Sequence, residues 1–263
     1  MATYIKAGTY PLEKDMISEM DALNKVFEKH KVKVYRPKTL KKYNQIFSRD
    51  IAFVIEDKII RANILPNREE EVEAISSVWN LIDEEKRFIL PSECHVEGGD
   101  VMLWNDYIFI GTYSAKDYPD YITARTNLDA VIAIQELFPH KTVKAFELRK
   151  SNTNPKENAL HLDCCFQPIG KDKAILHRNG FLVDHEYEWL VNFFGKDNIF
   201  EIEVWTDETK TEFNPLYVQF QEEFNTLLKE VIEIEYHEFK LNDFKNIETS
   251  DNYTIFYKLI QVD

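Results

Sequence analysis

Three short polar clusters hold most of the side chains in this chain that could do chemistry: Phe47-Ser48-Arg49-Asp50, Glu97-Gly98-Gly99-Asp100 and His161-Leu162-Asp163. Each leads into a run of β-forming residues. If those strand ends share an axis, acidic groups and one imidazole face a common hollow. Carboxylates so arranged hold a planar cation through paired, charge-assisted hydrogen bonds, the pattern a guanidinium requires. The alternation of side chains along a strand puts His161 and Asp163 on one face with Cys165, while Leu162 and Cys164 point the other way. On an extended strand His161 and Cys165 lie roughly 13 Å apart, too far for a hydrogen bond. The paired glycines at 98 and 99 permit close backbone approach, so the flanking acids can be aimed inward.

The elements that must position these groups recur. Residues 12–30 carry apolar side chains at helical spacing, and residues 33–36 read as a strand stopped by Pro37. Between residues 51 and 62 two β-rich runs flank Glu56-Asp57-Lys58 as a hairpin, and Pro66 opens a helical stretch over residues 67–82. An indistinct strand near residues 88–90 closes this first unit. A second hairpin over residues 100–111 turns at Asn105-Asp106, followed by helical periodicity over 121–137 and a strand at 142–148. A third pairs residues 159–167 with 174–177 around Gly170-Lys171-Asp172, ahead of a helix at 184–194 and a strand at 199–204. A period of roughly 50–60 residues indicates a solenoid, a propeller or a closed array of similar units. Residues 215–263, read as a helix, a strand and a final apolar run, fit the repeat poorly.

Composition narrows the function. The 263 residues carry 46 Asp and Glu against 32 Lys and Arg, a formal charge of -14. That excess argues against a nucleic-acid partner and favours a cationic ligand. No apolar run reaches the length of a membrane span, and the first ten residues lack the core of a secretory signal, so the expected location is cytoplasmic. Seven glycines, none at the offsets of a dinucleotide fingerprint or phosphate loop, exclude those sites. The three cysteines, at 94, 164 and 165, have neither zinc-site spacing nor a disulfide framework. No linker divides the chain, which reads as one domain over residues 1–263.

Taken in order, FSRD with its hairpin, EGGDVMLW, TARTN at residues 123–127 and ALHLDCCF at residues 159–166 resemble the guanidine-modifying superfamily of pentein fold. That superfamily contains arginine deiminases, dimethylarginine hydrolases and amidinotransferases. The resemblance covers residues 5–200 or so and implies an α/β propeller of ββαβ units around a polar channel. There a cysteine attacks the guanidinium carbon and a histidine moves protons. By match to the motifs, His161 is the implied general acid/base, Asp50, Glu97 and Asp163 the guanidinium-binding carboxylates, and Arg125 the partner of a ligand carboxylate. No metal or organic cofactor is implied. The partner is a small guanidino compound, and a homo-oligomer is compatible with the sequence.

Two departures shape the expectation. The superfamily's nucleophilic cysteine lies near the C-terminus, whereas no cysteine follows Cys165 here, and from about residue 201 the likeness ends. The array of units is therefore expected to be incomplete. Cys94 and Cys165 are expected to be structural. The sequence thus supports an enzyme acting on a guanidinium by thiol chemistry, with a non-catalytic binder of guanidino compounds as the alternative.

Overall fold

The computed structural model describes residues 12–202, apart from 42, 44 and 46. A helix, α1 (Glu13–Lys29), precedes the repeating part. The first unit opens with one helical turn, α2 (Ser48–Ile51), followed by the hairpin β1 (Ala52–Ile55) and β2 (Lys58–Arg61). Glu56 adopts a φ of 56° in the turn. Two short helices, α3 (Glu69–Glu73) and α4 (Ser76–Trp79), then carry the chain to β3 (Arg87–Ile89), which pairs parallel to β2.

The second unit repeats this order. Hairpin strands β4 (Val101–Trp104) and β5 (Tyr107–Thr112) turn through Asn105 at φ 51°, and α5 (Leu128–Leu137) leads to β6 (Thr142–Glu147), parallel to β5. In the third, β7 (Phe166–Ile169) and β8 (Lys173–Leu176) turn through Gly170, and α6 (Asp184–Phe194) leads to β9 (Ile199–Glu201), parallel to β8. The described residues therefore form three ββαβ units, each with its own three-stranded sheet.

Alternation along the strands explains how the units stack. Ile108 and Ile110 of β5 enter one core with Phe53, Ile60, Val96, Ile134 and Phe138, whereas Phe109 between them enters another with Met102, Phe146, Phe166, Leu190 and Phe194. The middle sheet is thus apolar on both faces and sandwiched between its neighbours. Burial of each such side chain contributes about 1.5–3 kcal/mol.

Several expectations are corrected. Residues 33–36 form no strand: Val34 and Tyr35 are exposed and gain no ladder partner among the described residues. The helix expected over residues 67–82 breaks at Ile75, where a β-branched residue meets the poor helix formers Ser76 and Ser77. The second unit's helix begins at Leu128 rather than near residue 121, because the Asn127 side chain caps it by accepting from the Ala130 N–H at 3.1 Å. Asp100 lies in a 3₁₀ turn, Gly98–Asp100, before β4. Residues 159–167 are not one strand, since Leu162–Cys164 form another 3₁₀ turn and β7 starts at Phe166. The last described strand stops at Glu201, and the elements expected over 215–263 lie outside the described residues.

Candidate functional site

The three polar clusters occupy equivalent places. Asp50 lies in the helical turn before β1, Glu97 and Asp100 bracket the turn before β4, and His161 and Asp163 bracket the start of the turn before β7. Each turn ends an approach to the first strand of its unit, and stacking of the units brings the turns together. Asp50, Glu97 and His161 are all buried.

Glu97 is the centre. His161 Nε2 donates to its Oε2 at 2.7 Å, and Arg125 Nη1 donates to both carboxylate oxygens at 3.0 Å. Arg68 Nη1 bridges Glu97 Oε2 at 3.4 Å and Asp50 Oδ2 at 3.1 Å. His161 Nδ1 stands 4.0 Å from Asp50 Oδ1. Asp163 joins the group across Gly99. A β-carbon added at Gly99 would lie 2.7 Å from His161 Nδ1 and 3.1 Å from Asp163 Oδ2, so only glycine lets these side chains close over that backbone. Gly98 is constrained in the same way by the Arg49 carbonyl, and Arg49 Nε donates back to the Gly98 carbonyl at 2.9 Å.

Buried polar groups beneath the site fix its shape. Asp100 Oδ1 accepts from the Leu162 N–H at 2.8 Å, and its Oδ2 accepts from the Thr126 hydroxyl at 2.6 Å. The first of these bonds bends the chain at Leu162, which is why the strand alternation expected around His161 fails. His161 and Asp163 still meet, through a turn rather than a shared strand face.

Charge sets the protonation states. Burial disfavours the imidazolium of His161, but the facing Asp50, the hydrogen bond to Glu97 and the charge of Asp100 outweigh it and raise the pKa to about 9. Burial would raise Glu97, yet the hydrogen bond from His161 and the charges of His161, Arg125 and Arg68 hold it down at about 2. Asp163 moves the other way: burial, with Asp50 and Asp100 nearby, raises it to about 6 against the pull of His161 and Arg49. At neutral pH the centre is therefore an ionised carboxylate beneath an imidazolium.

One ligand atom from each of Asp50, Glu97 and His161 lies within 4.8 Å of the others, a spacing that could hold a metal ion. The donor set fits poorly, because the imidazole is protonated through neutral pH and Arg68 already bridges the two carboxylates.

Sequence reading missed Arg68. Its Nε and Nη2 fork onto Glu71 at 3.1 and 2.9 Å, and burial lowers its basicity less than Glu71, Glu97 and Asp50 raise it. A signal existed: a cation at the start of a helix opposes the helix dipole, so Arg68 needed a partner elsewhere. His95 donates through Nδ1 to Asp117 Oδ2 at 2.7 Å, and Asn127 Nδ2 donates to the same oxygen at 2.9 Å. That tie anchors the loop that carries Arg125.

All three cysteines are placed. Cys94 is buried between the first two units. Cys165 is buried between the second and third, its Sγ donating to the Leu162 carbonyl at 3.5 Å, and burial pushes its thiol well up. Cys164 reaches the surface, with its Sγ 3.7 Å from Asp163 Oδ1; the protein packed around that sulfur and the Asp163 charge push the thiol up to about 12.

The arrangement of ββαβ units has counterparts among solved structures. A dimethylarginine dimethylaminohydrolase, solved as an adduct with S-methyl-L-thiocitrulline, superposes with a TM-score of 0.56 at 19% identity, over 73% of this chain and 67% of its own. The N-terminal domain of ArgZ, an arginine dihydrolase from the ornithine-ammonia cycle in Cyanobacteria, solved with product, gives a TM-score of 0.54 at 17% identity, over 69% and 62%. This chain has the pentein fold. An apo structure of ArgZ gives 0.58 at 16% identity, over 73% of this chain and 29% of its own. This pentein chain spans less than two thirds of the ArgZ N-terminal domain, and no family model or curated relative matches its sequence. Among the described residues of the pentein units, no helix is long and apolar enough to cross a membrane.

Proposed function

We propose that the site formed by Asp50, Glu97, His161 and Asp163 recognises the guanidinium group of arginine or a related compound, and that it does so without covalent thiol chemistry. The placement of the three cysteines carries this reading. None is an activated thiol: two are buried in the cores, and ionisation of the third is opposed first by the protein packed around its sulfur and then by the Asp163 carboxylate. Recognition itself rests on the convergence of Asp50 and Glu97, whose carboxylates already hold guanidinium groups from Arg68 and Arg125. A chemically identical group on a ligand finds the same donors and acceptors there.

A second reading, hydrolysis or amidino transfer, is favoured by the pair His161 and Glu97. An imidazolium held by a buried carboxylate can protonate a departing amine. In that reading the nucleophile is not one of this chain's cysteines as they are placed.

Calorimetry separates recognition from its absence. Arginine, agmatine, guanidinoacetate and methylated arginines are titrated into the wild type and into Asp50→Ala and Asp163→Ala. At least one ligand is expected to bind the wild type and to lose roughly tenfold or more in affinity in Asp50→Ala, since a charge-assisted hydrogen bond is worth about 1.5–3 kcal/mol. Equal affinity in both variants would place the site elsewhere. The same compounds, assayed for citrulline, urea or released amine, are expected to remain unchanged; turnover would establish the second reading.

A further inference from the structure

We infer that Lys150 is a positioning residue for His161: its ammonium pins the Leu160 carbonyl on one side of the histidine as Asp100 pins the Leu162 N–H on the other, and the two ties aim the ring at Glu97. The inference concerns the His161–Glu97 pair and holds whichever ligand the site takes. It starts from a buried charge that the guanidinium site does not use. Lys150 is only 8% exposed, and the hydrogen bond its Nζ makes among the described residues goes to the Leu160 carbonyl at 2.7 Å. Burying an ammonium is costly, and a methionine would fill the same space without that penalty. Burial lowers the pKa of Lys150, with the charge of Asp100 the largest influence against it. Burial raises Asp100 in turn, with Lys150 first among the groups that oppose the rise. The two charges sustain each other while each holds a different peptide.

Those peptides flank His161. Lys150 holds the carbonyl of residue 160, and Asp100 Oδ1 accepts from the N–H of residue 162 at 2.8 Å. A planar peptide pivots as a unit, so fixing its oxygen stops the pivot that would swing the next Cα. Lys150 is itself anchored: its own carbonyl accepts from the Tyr121 hydroxyl at 3.3 Å, and the adjoining Arg149 carbonyl accepts from the Ala159 N–H at 2.8 Å. Asp100 is anchored by the Thr126 hydroxyl, which also accepts from the Glu97 N–H at 3.3 Å. Connected groups therefore place both the imidazole and the carboxylate that receives it. The bond between them is 2.7 Å long, and a displacement of about 1 Å takes it out of hydrogen-bonding range.

The test is nuclear magnetic resonance of the wild type, Lys150→Met and the double variant Lys150→Met with Asp100→Asn. Exchange of the His161 Nε2 proton with water is measured beside that of the Ile134 amide in the core of α5. Methionine keeps the apolar stem and removes every N–H; asparagine keeps an oxygen for the Leu162 N–H and removes the charge that Lys150 had balanced. In Lys150→Met the His161 proton is expected to exchange roughly tenfold faster or more, with Ile134 little changed. The double variant is expected to exchange as fast as Lys150→Met. Unchanged exchange at His161 would overturn the inference. An equal acceleration at Ile134 would show only a general loosening of the fold, and would overturn it too. Slow exchange restored in the double variant would mean that charge balance, not the tie to Leu160, holds the ring, which is a third way for it to fail. Should circular dichroism show Lys150→Met unfolded, the charge-balanced double variant carries the comparison with the wild type, with the same acceleration expected.

Discussion

Glu97→Gln lowers the free energy of unfolding by about 3–5 kcal/mol, because it strips the charge from a fully buried carboxylate that His161, Arg68 and Arg125 all face, and Arg125 has no other ion-pair partner among the described residues. Glutamine has nearly the same shape, so little of the loss comes from packing. What changes is the charge facing His161, Arg125 and Arg68, all of which are desolvated around that carboxylate. For a domain of ordinary stability this is a large fraction of the total. Urea unfolding measures it as a lower midpoint at an unchanged slope. The exposed Asp57, paired with Lys58 and Lys86, is the control. Asp57→Asn is expected to leave the urea midpoint close to that of the wild type. A Glu97→Gln midpoint equal to that of the wild type would mean that the cations around Glu97 do not depend on it.

Stability is expected to fall between about pH 6.5 and pH 9 through His161. Its pKa is raised from 6.5 when unfolded to about 9 when folded, so the folded protein holds the extra proton in that interval. The slope of unfolding free energy with pH follows the difference in bound protons, which is negative there. The contribution is fully present below the unfolded pKa and is lost as pH rises through the folded one, on the order of 3 kcal/mol in all. Glu97 acts oppositely at the acid end: its pKa is depressed to about 2, so its contribution is present above the unfolded value and is lost as pH falls towards 2. Asp163, raised to about 6, has the sign of His161 and lowers stability as pH rises from about 4 to 6. Urea midpoints across pH 6–10 check the alkaline limb. In His161→Asn that limb should flatten, whatever the variant's absolute stability; an unaltered slope would assign the proton to another group.

Much of the scaffold was legible because local chemistry and tertiary packing agree. The first two hairpins turn at Glu56 and Asn105, polar residues that accept positive φ, between runs whose alternation suits sheets packed on both faces. The helix at Asp184–Phe194 ends where Gly195 takes a φ of 86°. Where tertiary contacts decide, sequence pattern misleads. Residues 33–36 have strand-like composition but no neighbouring strand to complete a ladder among the described residues. Residues 161–165 have strand-like composition too, yet Asp100 takes the Leu162 N–H and turns the chain.

The site shows the same division. Asp50, Glu97 and His161 are visible as charged residues at unit boundaries, and the structure brings these three together. Asp163 reaches them through the gap left by Gly99, which no strand alternation could indicate. Arg125 was assigned to a ligand carboxylate by resemblance, and here it is engaged with Glu97. Arg68 escaped notice because a charged residue among glutamates at a helix start reads as a solvated surface. Its partners come from units distant in sequence, and only folding reveals them.

Nuclear magnetic resonance of the His161 ring, followed while agmatine is added, reads the centre of the pocket directly. A guanidinium seated on Asp50 beside the imidazole adds positive charge a few ångströms away, so the His161 resonances should shift and its pKa should fall from about 9. The same addition to Asp50→Ala should leave them in place. Ring signals that stay unmoved while calorimetry records agmatine binding would show that the cation settles somewhere other than among Asp50, Glu97 and His161.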